Sequence, residues 1–222
     1  MDLSHVAVHQ LVSGMSGKGK STFARKLAIA HRARWKFAFE TWKREYSAAP
    51  PNGLSWAKCV DEPGLRRAVM EGRPSAYYSA PMYPGDRIGG FNFWATWVAN
   101  VGKQLPGGKL IIVEEIEVTT AHRNSPLCPA FSEILDELRG AKFDVIMIGQ
   151  RVSTVNELIR AQTTDIITFQ HVDPNQLKWL DRESFDTRAV EVLKRGEYVW
   201  RQRETAKETT NRRGARHDAK GA

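Results

Sequence analysis

Nine consecutive residues near the start of the chain, Gly14-Met15-Ser16-Gly17-Lys18-Gly19-Lys20-Ser21-Thr22, fit the spacing G-x-x-x-x-G-K-[ST] at Gly14, Gly19, Lys20 and Ser21. Each residue type has a physical reason. Glycines let the backbone fold into a nest whose N–H groups converge on a phosphate. The loop then feeds a helix N-terminus, where unpaired N–H groups and the helix dipole favour anions. The Lys20 ammonium would neutralise β- and γ-phosphate oxygens, and the Ser21 hydroxyl would ligate Mg²⁺. Dinucleotide binding would instead need G-x-G-x-x-G, and Gly17-Lys18-Gly19-Lys20-Ser21-Thr22 lacks the third glycine. The motif therefore predicts binding of a nucleoside triphosphate such as ATP.

Two further clusters could act on that triphosphate. The apolar run Leu110-Ile111-Ile112-Val113 ends in Glu114-Glu115. Carboxylates at the C-terminal end of a buried parallel strand lie in the crevice where ligands of open α/β sheets bind. Glu114 is assigned to the Mg²⁺ shell and Glu115 to polarising the attacking water. Val145-Ile146-Met147-Ile148-Gly149 is a second buried run, and it delivers Gln150. An amide there can hydrogen-bond the γ-phosphate or its water without adding charge.

These groups need a sheet to bring them together. Short β-branched runs alternate with helical patterns along the chain, which predicts an α/β fold with a mostly parallel sheet flanked by helices. Strands are expected at about Val6–Val12, Trp35–Phe39, Ala76–Ser79, Lys109–Glu114, Val145–Ile148 and Ile166–Phe169, with an edge strand at Tyr198–Trp200. Helices are expected from Lys20 to about Arg34, over 64–71 and 91–104, around Phe131–Leu138, and as short pieces at 155–159, 175–181 and 188–194. The stretch from Glu40 to Pro63 reads as irregular. Trp94 and Trp97 share a helix face and are expected in the core. His122 and His171 lack partners at metal-ligand spacing and are expected to be structural or solvent-facing.

The chain has 222 residues, 41% of them hydrophobic and 26% charged, which suits one globular domain. The uncharged stretch Ile88–Gly102 is 15 residues long, short of the ~20 apolar residues a bilayer crossing needs. No basic start followed by an apolar run marks a secretory signal. Cys59 and Cys128 form no C-x-x-C pair, which suits a reducing, cytoplasmic compartment and excludes a zinc ribbon. The net charge is +8. Arg201–Ala222 holds seven basic residues and three acidic ones, and has no large apolar side chain. We therefore expect an ATP-binding domain over 1–202 and a flexible basic tail over 203–222.

Taken together, the loop Gly14–Thr22, the strand Lys109–Glu115 and the run from Leu138 through Gly149-Gln150-Arg151 to Phe169 resemble the FtsK–HerA superfamily of P-loop ATPases. Within it they most resemble the genome-packaging ATPases of tailless, membrane-containing icosahedral viruses. The resemblance covers roughly residues 5–170. It implies a RecA/ASCE-like ATPase that assembles as a ring, hexameric by preference, and translocates double-stranded DNA into a preformed capsid through contacts with portal or vertex proteins. It also implies that the Gln150 strand lies between the P-loop strand and the acidic strand, and that a neighbouring subunit supplies an arginine finger. The chain departs from the family pattern in two places. Glu114-Glu115 stands where Asp-Glu is usual, and Asp165 stands where FtsK proteins carry an arginine. The finger candidates are then Arg139, Arg151, Arg160 and Arg123. Three other readings stay open: a membrane-associated ATPase of phage assembly or conjugation, a P-loop kinase acting on a small molecule, and a nucleotide-dependent switch.

Overall fold

The computed structural model describes residues 7–41, 46, 54–203 and 207–211, the last group and Arg139 by backbone only. The chain runs β1 (His9–Ser13), α1 (Lys20–Ala30), β2 (Trp35–Glu40), β3 (Ala57–Cys59), α2 (Glu62–Met70), β4 (Ser75–Tyr78), α3 (Arg87–Gln104) and β5 (Lys109–Val113). It continues through α4 (Pro129–Asp136), β6 (Phe143–Gly149), α5 (Glu157–Gln162), β7 (Asp165–Thr168), α6 (Pro174–Arg182), α7 (Thr187–Glu191), β8 (Tyr198–Gln202) and β9 (Lys207–Asn211). Nine strands form one sheet in the order β3-β4-β2-β5-β6-β1-β7-β8-β9. β8 pairs antiparallel to β7 and β9 to β8; the other pairings are parallel.

Strand alternation sorts the apolar residues into two cores. Leu11, Phe37, Phe39, Ile111, Val113, Val145, Met147 and Ile166 point to one face, beneath Trp94, Phe131, Ile159, Leu180 and Val190 of α3 to α7. Their neighbours Val12, Ala38, Leu110, Ile112, Ile146, Ile148 and Ile167 point to the other face, where α1 lays Ala24 and Ala28. Both faces of the sheet are covered, so its strands read as continuous apolar runs.

Several boundaries differ from the sequence reading. α1 stops at Ala30 rather than near Arg34, because the His31 backbone turns extended, at φ −69° and ψ 133°. The His31 Nδ1 accepts the Ala33 N–H at 3.1 Å, and its Nε2 lies 3.2 Å from Asp144 Oδ2. α3 starts at Arg87, where Asp86 accepts the Gly89 N–H at 2.8 Å as an N-cap. The stretch read as irregular contains β3, three residues too short for any period to show. Trp94 and Trp97 are buried as expected.

The C-terminal end is also more ordered in part. Arg203, expected to open the tail, donates to Glu183 Oε2 at 2.7 Å and to the carbonyls of Arg160 and Thr163. Lys207–Asn211 lies along β8 as β9, so β8 is an inner strand rather than the edge. Backbone pairing needs no apolar side chain, which is why composition alone missed it. The rest of the expected tail lies outside the described residues.

Candidate active site

β5, β6 and β1 are adjacent and parallel in that order, so their C-terminal ends open on one crevice. β1 leads into the glycine loop, β5 into Glu114-Glu115, and β6 into Gln150. One pocket is lined by Ser16, Gly17, Gly19, Lys20, Ser21, Thr22, Glu114, Glu115, Gln150 and, unanticipated, Arg195. The expected placement of the glutamine strand between the other two is what the sheet order gives.

The loop is held in shape by its neighbours. Gly14 has φ 145°, and a Cβ there would lie 2.5 Å from Phe169 Cβ. Only glycine satisfies both constraints. The Phe169 N–H donates to Ser13 O at 2.8 Å, and the Met15 N–H to Gln170 O at 3.0 Å, so the β7 end frames the loop. Gly19, at φ 110°, is the N-cap of α1, and no acidic residue occupies the first turn of that helix. The start of α1 therefore brings no carboxylate of its own to compete with an anion bound there. Lys20 is buried and donates to Gly14 O at 2.7 Å and Met15 O at 2.9 Å. Gly14, Met15 and Lys18 shape the loop but are not among the residues on the pocket wall.

The two carboxylates are held differently. Glu114 is 8% exposed. Glu115 has left-handed backbone geometry, φ 52° and ψ 52°, and its Oε2 accepts the Thr41 hydroxyl. A non-glycine residue in that region costs on the order of 1–3 kcal/mol, so the turn is set by its surroundings. A third acid follows: Glu117 Oε1 accepts the Gln150 N–H at 2.9 Å. The acidic turn and the glutamine turn are thereby one unit.

Behind the loop, His171 is buried with Nε2 3.3 Å from Ser13 Oγ. Burial, then the nearby Lys20 ammonium, pushes its pKa down to about 4, against the weaker pull of Asp173. It is a neutral structural histidine, whereas His122 is exposed.

Sequence spacing missed Thr41, Glu117 and Arg195. Thr41 follows β2, which pairs with β5 and so ends beside Glu114-Glu115. Arg195 precedes β8. A strand antiparallel to β7 starts at the edge where β7 ends, so the turn before it must lie at the crevice. The Gly196 N–H fixes that turn by donating to Lys18 O at 2.9 Å. Arg151 is exposed and absent from the pocket wall, and Arg123 and Arg160 line a separate groove. The Arg139 side chain lies outside the described residues. Asp165 begins β7, at the sheet edge opposite the pocket, and accepts the Trp200 indole N–H at 2.8 Å. It is a structural anchor.

The donor set also suits a magnesium ion. Ser21 and Glu114 line the same pocket, and Mg²⁺ takes one or two protein oxygens while phosphates and water supply the others.

No protein-family model matches the sequence, and neither does any curated protein. Solved structures do share its fold. The genome-packaging NTPase B204 from Sulfolobus turreted icosahedral virus 2, in complex with ATP-gammaS, is similar with a TM-score of 0.69 at 19% identity, over 93% of this chain and 97% of that one. VirB4 of Thermoanaerobacter pseudethanolicus gives 0.66 at 10% identity, over 94% and 90%. The pCW3 conjugation coupling protein TcpA, in monomer form with ATPgS, gives 0.58 at 11% identity, over 95% of this chain and 60% of that one. This chain shares with them a P-loop NTPase fold, a mostly parallel sheet flanked by helices.

Proposed function

We propose that this chain is a magnesium-dependent ATPase whose oligomer, a ring of copies, translocates double-stranded DNA, with viral genome packaging as its setting. The observation that carries this reading is the single pocket shared by the glycine loop, Lys20, Glu114, Glu115 and Gln150. The B204 likeness across almost the whole of both chains supports packaging in particular.

In this mechanism the loop amides and Lys20 bind the β- and γ-phosphates and stabilise the charge that builds on them. A magnesium ion, held by Ser21 and Glu114, would neutralise phosphate charge when bound. Glu115 takes a proton from a water as its oxygen attacks the γ-phosphorus, and the bond from that phosphorus to the bridging oxygen breaks. ADP and inorganic phosphate are the products. Gln150 orients the water or a γ-oxygen without competing for the proton. Arg139 and Arg151 remain proposals for the group that a neighbouring copy contributes.

The likeness to VirB4 and TcpA favours, as the second reading, a conjugation-type ATPase with the same chemistry. Among the described residues no helix is long and apolar enough to cross a membrane.

The test is ATP turnover with and without double-stranded DNA, alongside the mass of the assembly. DNA-stimulated hydrolysis in a ring-sized species is expected. Lys20→Ala should abolish turnover, and Glu115→Gln should bind ATP yet turn over at least ~100-fold more slowly. Wild-type turnover in Glu115→Gln would remove that residue from the chemistry. Turnover that strictly requires an added phosphoryl acceptor would replace the motor with a kinase.

A further inference from the structure

Away from the pocket, α5 and α6 wall a groove of about 580 Å³ on the side of the sheet opposite α1. Its lining includes Arg123, Arg160, Lys178 and Arg182, against two carboxylates, Glu157 and Glu183. Both carboxylates already have cations. Glu157 lies 3.4 Å from Arg160 and 3.9 Å from Arg123, and Glu183 lies 2.7 Å from Arg203. Lys178 and Arg182 differ. Both are exposed, and neither has a carboxylate within ion-pair distance among the described residues. They stand one turn apart on α6, about 6 Å along its axis. Trp179 lines the groove between them, with the Arg160 guanidinium 5.8 Å over its ring.

We propose that this groove is a contact site for the sugar-phosphate backbone of double-stranded DNA. The inference rests on the translocase reading. Two uncommitted cations one turn apart, with the neutral donors Ser153 and Asn175 on the same wall, suit a repeating polyanion. Positive charge so placed holds a duplex without reading its sequence, as a motor requires.

The groove is also wired to the pocket. Ser153 N–H donates to Gln176 Oε1 at 3.0 Å, and Gln176 Nε2 donates back to Ser153 Oγ at 2.7 Å. α6 is thus fastened to the turn just past Gln150. On the other wall, the Glu157 N–H donates to Arg123 O at 3.1 Å and Asn156 Nδ2 to Ser125 O at 2.8 Å. Those two acceptors belong to the segment that leaves Glu115. DNA in the groove therefore bears on both segments that carry the residues assigned to the water.

The experiment uses the full chain as wild type, as Lys178→Ala/Arg182→Ala, and as Lys26→Ala/Arg32→Ala, which removes two exposed cations from the α1 side. Binding of a mixed-sequence duplex is measured by fluorescence anisotropy from about 50 to 200 mM salt, with ATP turnover and assembly mass recorded in parallel. The groove variant should bind more weakly, with a plot of log K against log salt shallower by about 2. Its DNA-stimulated turnover should fall while DNA-free turnover stays unchanged, and the α1-side variant should keep the wild-type response. Wild-type affinity and slope in the groove variant would overturn the site while leaving the translocase reading intact. Failure of the wild type itself to bind duplex would overturn both. Loss of affinity together with loss of assembly mass would overturn the DNA contact in favour of a contact between copies.

Discussion

Glu117 holds the turn that presents Gln150: its Oε1 accepts the Gln150 N–H at 2.9 Å, and its Oε2 would lie 2.9 Å from a Cβ on Gly149. The β5 and β6 ends are thus locked by one carboxylate that does not itself line the pocket. Glu117→Ala removes the acceptor and leaves a half-buried N–H without it. Turnover should fall about 10-fold with ATP affinity nearly unchanged, because only the orientation of Gln150 is lost. Glu117→Gln keeps an acceptor oxygen and should recover most of the rate. Equal loss in both variants would mean that charge, and not the hydrogen bond, is what matters.

Thr41 gives Glu115 its only side-chain hydrogen-bond donor among the described contacts. A hydroxyl that donates to a carboxylate oxygen fixes the direction in which that carboxylate points. Thr41→Val should therefore lower kcat several-fold with little change in KM. A wild-type kcat in Thr41→Val would remove Thr41 from the site.

Much of this site was legible in the sequence because its parts are local. The phosphate loop is nine consecutive residues, and Glu114, Glu115 and Gln150 each follow directly from an apolar run. What spacing cannot carry is the sheet order. Thr41, Glu117 and Arg195 reach the site only because β2 lies beside β5, β6 lies between β5 and β1, and β8 runs antiparallel to β7. β3 and β9 escaped for a different reason. One is three residues long, and the other, Lys-Glu-Thr-Thr-Asn, has nothing apolar to alternate. Strand pairing there rests on backbone hydrogen bonds, which leave no hydrophobic period to read.

Among the described residues, Arg195 is the one arginine on the pocket wall. It is exposed, and its turn is tied to the phosphate loop through Gly196 and Lys18. A guanidinium there can pair with a phosphate of a bound triphosphate. Arg195→Ala should weaken ATP binding by roughly 3–10-fold, about 1 kcal/mol, in keeping with a solvent-screened contact. Arg195→Lys should restore only part, and more so at low salt. Unchanged nucleotide affinity at all salt concentrations would make Arg195 a bystander.

Gly14 tests the frame rather than the chemistry. Alanine at φ 145° is strained, and its Cβ would meet the Phe169 Cβ and backbone at 2.5–3.3 Å. The flexible end of a side chain could move aside; these atoms belong to β7's continuation and cannot. Gly14→Ala should cost about 3 kcal/mol of stability and at least 10-fold in ATP affinity, seen by thermal denaturation and nucleotide titration. Gly17, at φ 75° but with open space around it, should cost less stability on the same substitution.

His171 makes stability depend on pH in a window set by burial. Its native pKa of about 4 lies below the ordinary 6.5. Above pH 6.5 both folded and unfolded chains carry the neutral ring, so nothing is lost. As pH falls from 6.5 toward 4, the unfolded chain takes up a proton that the folded chain refuses, and stability drops. The drop from this one residue is on the order of 3 kcal/mol at pH 4. Carboxylates titrate in the same range, so the informative quantity is a difference. Urea unfolding of wild type and His171→Asn across pH 4–7 should give curves that converge toward acid, with the wild type losing more. Parallel curves would show that His171 takes up its proton equally in the folded and unfolded chain, so that burial does not keep the ring neutral.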